Sequence, residues 1–152
     1  MTSVAADAKP PSNNKTKVVS QVCKVTSEAE IATLFERWNK TLKTGNSNTV
    51  LSNYAKDSVL IPTVSNKVRF TYAEKKEYLD SFLKHRPHAT VNSRTIRLGC
   101  NTAFDVGTYT LTFDQSEDVI DARYSFTYIW DGKKWLVQTH HSSSMPEVIP
   151  NP

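Results

Sequence analysis

Two hydrophobic periodicities divide this chain. Over its first half the apolar side chains recur every three or four positions, and from Thr90 onward they alternate with polar ones. Ile31, Leu34, Phe35, Trp38 and Leu42 fall at i, i+3, i+4, i+7 and i+11, a single helical stripe with Glu36, Arg37, Asn39 and Lys40 outside it. Ser27 and Glu30 have the spacing of a capping box, so the helix is predicted to begin there, and Gly45 to stop it. Thr49 to Ala55, with Val50, Leu51 and Tyr54, reads as a shorter second helix, and Ser58 to Ile61 as a short strand ended by Pro62. Thr71 and Glu74 repeat the capping box. Tyr78, Leu79, Phe82 and Leu83 then form the stripe of a third helix, which must close before Pro87.

The alternating half predicts strands over Thr90–Leu98, Ala103–Phe113, Ile120–Trp130 and Lys134–Ser143, with turns around Asn101, Ser116-Glu117 and Gly132. Asp131-Gly132 is a favoured hairpin dipeptide because glycine accepts positive φ. Helix, helix, strand, helix and four strands make an α+β domain in which the long first helix and two shorter ones cover the concave side of a curved antiparallel sheet. Such a cone has an open end, so its geometry predicts a cavity, and the return strand carries His140, His141, Ser142 and Ser143 toward that end.

At 152 residues the chain suits one domain, since a domain of this size buries roughly 70% of its unfolded surface. Cys23 and Cys100 fit no paired metal spacing, and reduced thiols in a cytosol-like compartment are the expectation. No apolar run approaches the roughly 20 residues of a membrane span. The formal charge of +4 is concentrated at the start: Met1 to Lys24 holds four Lys against one Asp. Little excess remains for a nucleic-acid-binding face. Residues 1–24, with a Pro10-Pro11 pair and few large apolar side chains, read as a flexible basic tail, residues 25–147 as the folded domain, and 148–152 as an irregular C-terminal tail. A cytoplasmic location is expected. An organelle transit peptide is the weaker alternative, because the tail lacks arginine and an amphipathic stripe.

The candidate chemistry is sparse. His140 and His141 are adjacent on a strand, so they face opposite sides and cannot chelate one metal together, and no metal or cofactor motif occurs. Arg123 sits within a largely neutral strand, as one half of an ion pair with Asp121, Asp105 or Asp57, or as an anchor for an acidic ligand. Were the cavity catalytic, Asp57 or Asp105 would serve as general base, with Tyr54 or Tyr109 donating to a developing enolate.

Four runs together carry a resemblance: LFERWNKTLKTGN (34–46), YAKDSVLIPTVSNKVR (54–69), CNTAFDVGTYTLTF (100–113) and RYSFTYIWDGKKWLVQTHHSSSMPE (123–147). They resemble the association, or hub, domain of calcium/calmodulin-dependent protein kinase II and its free-standing relatives. That family has the cone-shaped nuclear-transport-factor-2-like fold, whose superfamily also holds ketosteroid isomerase and small polyketide cyclases. The resemblance implies a self-assembling domain that forms dimers and closed rings of dimers, with co-assembly with a kinase-borne hub as a further expectation. No kinase glycine loop, HRD or DFG is present. Animal hubs line the cavity with arginines. Tyr109 and Ser142 stand at two of those places here, so an acidic ligand would fall to Arg123, His140, His141 and Tyr109. The alternative is an isomerase- or cyclase-like enzyme using the same cavity.

Overall fold

The computed structural model describes residues 21–148. Three helices, α1 (Glu28–Leu42), α2 (Ser47–Leu51) and α3 (Tyr72–Phe82), pack on one side of a five-stranded sheet formed by β1 (Tyr54–Ile61), β2 (Pro87–Gly99), β3 (Thr102–Phe113), β4 (Asp118–Trp130) and β5 (Trp135–Ser144). Strands β2 to β5 form an antiparallel meander, and β1 joins its edge in parallel with β5, giving the order β1-β5-β4-β3-β2. The turns lie where the sequence places them, with Asn101, Glu117 and Gly132 at positive φ.

All five stripe residues of α1 are buried. Phe35 is central, its ring 5.4–6.2 Å from those of Trp38, Tyr109, Tyr124 and Phe126. Burying a large apolar side chain contributes roughly 1.5–3 kcal/mol, so this stripe is what holds the helix layer to the sheet. The caps differ in detail. At α3 the box is complete, with Glu74 reaching back to the Thr71 amide. At α1 the Ser27 hydroxyl accepts from the Glu30 amide, but the Glu30 carboxylate accepts instead from Thr26 Oγ1 at 2.6 Å. Lys75 on α3 is fully buried and donates 2.7 Å hydrogen bonds to Ser58 O and Oγ, which fixes α3 against β1; desolvation lowers its pKa.

Two expectations are corrected. The second helix does not reach Ala55: Asn46 caps it one turn earlier, accepting from the Asn48 and Thr49 amides, and Tyr54 and Ala55 begin β1. Tertiary pairing decides this, because Tyr54 registers with Val137 and the Val137 amide donates to Asn53 O at 2.8 Å. The cysteines are not free. Cys23 and Cys100, 77 residues apart, form a disulfide with a Cα–Cα distance of 4.8 Å. The β2–β3 turn carries Cys100 to the segment preceding α1, a proximity that sequence spacing does not encode.

The bridge is reinforced by the Lys24 amide donating to Asn101 Oδ1 at 2.7 Å and by Lys24 Nζ lying 4.7 Å from the Trp130 ring centroid. Val22 to Lys24, assigned by sequence to the flexible tail, are therefore pinned to the sheet. Residues 1–20 of that tail, and residues 149–152, lie outside the described residues. None of the described helices is long and apolar enough to cross a membrane.

Candidate functional site

The interior of the cone is built by side chains that alternate inward from β3, β4 and β5 and meet the underside of α1 and α3. From β5 comes His140, stacked on Phe126 at 3.9 Å between ring centroids and edge-on to Trp38 at 5.1 Å. Trp38 Nε1 donates to the Tyr54 hydroxyl at 3.1 Å, and that hydroxyl lies 3.0 Å from His140 Nδ1. With the indole donating to the Tyr54 oxygen, the Tyr54 proton is assigned to Nδ1 and the His140 proton to Nε2. Burial, then the neighbouring His141, push the His140 pKa down to about 3, and the ring is neutral. Its Nε2 is buried without a partner.

Beside this chain, Tyr109 donates to Ser142 Oγ at 2.5 Å, and Thr63 Oγ1 donates to the same oxygen. Burial pushes the Tyr109 hydroxyl up to about 12 and the Tyr54 hydroxyl further, so both remain protonated donors. The void that these groups line, with Tyr78, Leu79 and Phe82, measures only about 20 Å³. That is room for one water, against the roughly 300–1,000 Å³ of a small-molecule site. Aromatic side chains have filled the cone.

A second polar cluster lies deeper under α1. Asp105 is 0% exposed, accepts from the Tyr124 hydroxyl at 2.9 Å and pairs with Arg94 through Nη2–Oδ2 at 3.1 Å and Nε–Oδ1 at 3.2 Å. Arg94 faces inward from β2 and covers Phe35, its guanidinium carbon 5.4 Å from that ring centroid. Gly107 permits the close approach of β2 on which this depends. A Cβ there would lie 1.9 Å from Ser93 O, beside the bulge between Val91 and Ser93. Asp105 is thus sealed and charge-paired, whereas Asp57 is on the surface.

The sequence-derived site residues therefore separate. Tyr54, Tyr109 and His140 converge in the cone. Arg123 is exposed on the opposite side of the sheet, donating to Ser143 Oγ at 3.2 Å, and His141 faces outward beside Ser125. The expectation that Arg123 pairs with Asp105 is corrected: parity puts them on opposite faces, and Asp105 belongs to Arg94. Arg94, Trp38 and Ser142 are the residues that reasoning from sequence underused. The inward parity of Ala103, Asp105, Gly107 and Tyr109 already marked Asp105 as buried, which requires a cationic partner. Among the described residues no group of three or more His, Cys, Asp or Glu is arranged to hold a metal.

The outer face of the sheet differs from the rest of the surface. Phe104, Val106, Thr108, Ser125, Thr127, Ile129, Leu136 and Thr139 form a patch three strands wide with no charged side chain, and Thr127 and Thr139 share a hydrogen bond across β4 and β5. Arg97, Asp121, Arg123 and His141 border it. In a chain with 22% charged residues, so broad an uncharged area has the composition of an interface core with a charged rim.

The sequence model of a family described as calcium/calmodulin dependent protein kinase II association domain matches residues 27–146. Among solved structures, a Xanthomonas campestris protein described as that association domain is 41% identical, with a TM-score of 0.76 over 86% of this chain and 100% of the other. The fold is shared at low identity with a Streptomyces avermitilis protein described as a dehydratase of the NTF2-like family (10% identity, TM-score 0.70, 78% of this chain and 96% of the other). It is shared likewise with a Shewanella frigidimarina protein described as a ketosteroid isomerase (13%, 0.62, 73% and 92%). No curated protein sequence matches the chain.

Proposed function

Because this chain belongs to the calcium/calmodulin dependent protein kinase II association-domain family, we propose that its activity is self-association through the outer face of the sheet, giving dimers and, from them, closed rings. The uncharged patch centred on Val106, Ser125 and Thr127 carries this reading. A stable dimer needs roughly 1,200–2,000 Å² of total buried surface, and a three-strand face with a charged rim suits that scale. The same face is the natural surface for co-assembly with a kinase-borne hub.

Native mass spectrometry across a dilution series tests the proposal. A discrete even-numbered assembly is expected for the natural chain, and Thr127→Lys or Val106→Asp, each placing a charge at the centre of the patch, should return it to monomer with the fold retained. A natural chain that is monomeric at micromolar concentration, or variants that assemble unchanged, would remove this reading.

No specific observation favours the alternative of an isomerase- or cyclase-like enzyme. A general base must reach a substrate proton. Asp105 is sealed beneath Arg94 and Tyr124, Asp57 does not line the cone, and the void beside Tyr54 and Tyr109 is water-sized. An acidic ligand held jointly by Arg123, His140, His141 and Tyr109 is likewise unsupported, because these side chains are divided between the two faces. The exposed Cys23–Cys100 bridge favours an oxidising compartment over the expected cytoplasm.

A further inference from the structure

On its β2 side the sheet ends in an edge that is only partly covered. Two contacts fix which backbone groups point away from it. Trp130 N donates to Asn101 O at 2.9 Å, so the odd-numbered residues of β3 pair with β4 and the even-numbered ones with β2. Their partners His88, Thr90, Ser93, Thr95 and Arg97 bond into the sheet, and Ala89, Arg94, Ile96 and Leu98 turn N–H and C=O outward. Asn39 agrees with this parity: its side-chain amide donates to Ala89 O and accepts from Ala89 N, both at 2.8 Å.

Beyond the bulge at Val91/Ser93 no such cap exists. Arg97 Nη1 reaches back to Ile96 O at 2.9 Å, but none of the described residues accepts from the N–H groups of Arg94, Ile96 and Leu98. A groove of about 390 Å³ runs beside them, lined by Glu28 of α1 and by Arg94, Thr95, Ile96 and Arg97. Leu98, on the helix side of the sheet, is 44% exposed. An unpaired edge beside a groove is a template for a further strand.

The chain delivers its own segment to this edge. Cys23 is bonded to Cys100, the residue after β2 ends, and Asn101 grips the backbone on either side: Oδ1 accepts from Lys24 N at 2.7 Å and Nδ2 donates to Val22 O at 3.4 Å. Lys15 to Val22 read KTKVVSQV, with Thr16, Val18, Val19 and Val22 β-branched. Four rises of about 3.3 Å lead from Arg94 to Leu98 and likewise from Val18 to Val22, so the chain before the bridge spans the open edge. Pro10 and Pro11, which have no N–H, set the far limit of such a strand.

We propose that residues 15–22 add to β2 as a sixth strand of the sheet. Both segments run toward the Cys23–Cys100 bridge, so the pairing is parallel. Carbonyls of the added strand accept from Ile96 and Leu98, and one of its N–H groups replaces Arg97 on Ile96 O. Val18 and Val19 project to opposite faces, so either register sets one of them on the helix side, extending the apolar row of Ile96 and Leu98. The bridge keeps the segment at high local concentration, leaving only a few residues to order. The edge is distinct from the outer face of the sheet, so the pairing does not depend on self-association.

Amide hydrogen exchange resolved by NMR, on the full chain with the bridge intact, tests this. The Ile96 and Leu98 amides are expected to exchange about a hundredfold or more slower than exposed amides, at rates unchanged by dilution. The double substitution Val18→Pro/Val19→Pro deletes both valine N–H groups, one of which the pairing needs in either register. In that variant Ile96 and Leu98 should lose most of their protection, while Thr95 and Arg97, bonded to β3, keep theirs and report an intact sheet. Fast exchange at Ile96 and Leu98 in the natural chain, or equal protection in the variant, would overturn the proposal. Protection lost on dilution would overturn it too, by giving the edge to a second copy of the chain.

Discussion

His140 makes this protein acid-sensitive in a way that can be isolated. The ring is buried among Trp38, Tyr54 and Phe126, and protonating it would place a cation where Nδ1 already faces a hydroxyl proton and Nε2 has no acceptor. Its pKa falls to about 3 in the folded chain, against about 6.5 when unfolded. Between these values the unfolded state binds more protons, so stability is complete above about pH 6.5 and is lost as the pH falls toward 3. The penalty works out to about 2 kcal/mol at pH 5 and about 3 kcal/mol at pH 4. The perturbation is His140→Phe, which keeps a ring on Phe126 and deletes the titration. Urea unfolding followed by tryptophan fluorescence, at one protein concentration and with the disulfide intact, should show the natural chain losing about 2 kcal/mol more than the variant between pH 7 and pH 5. His85, His88 and His141 are common to both proteins and cancel in the difference. Parallel pH curves, or a His140 ring resonance titrating near pH 6.5, would refute the reasoning.

Other outcomes follow from the same structure. Gly107→Ala forces a methyl into Ser93 O and should cost about 1–3 kcal/mol in chemical unfolding while loosening amide-exchange protection along β2–β3; an unchanged midpoint would show that the bulge at Val91/Ser93 absorbs it. Asp105→Asn leaves Arg94 without its counter-charge and should destabilise by about 3 kcal/mol, with little loss if the charge simply turns to solvent. Reducing Cys23–Cys100 opens a 77-residue loop, for which chain entropy sets a scale of about 4.5 kcal/mol; melting with and without reductant checks it, and an unshifted transition would mean that the Lys24–Asn101 contacts alone hold the segment.

The local patterns were strong enough to specify most elements. The α1 stripe, the Thr71–Glu74 box and the four alternating strands emerge as read, because helix and strand periodicities are written in consecutive residues. Alternation also fixed which side of the sheet each residue takes, and so separated His140 from His141. Where a tertiary contact competed with a local signal, it prevailed: Tyr54 left its helical pattern to pair with Val137 of β5, and Ala55 follows it into β1.

What only the tertiary structure decided are the relations between distant segments. Cys23 meets Cys100, and Asp105 meets Arg94 rather than Arg123. Whether a cone is empty depends on how the rings of Trp38, Tyr54, Phe126 and Tyr109 share its volume, which packing determines and residue order does not. Periodicity is a property of neighbours along the chain, whereas bridges, ion pairs and cavities belong to neighbours in space.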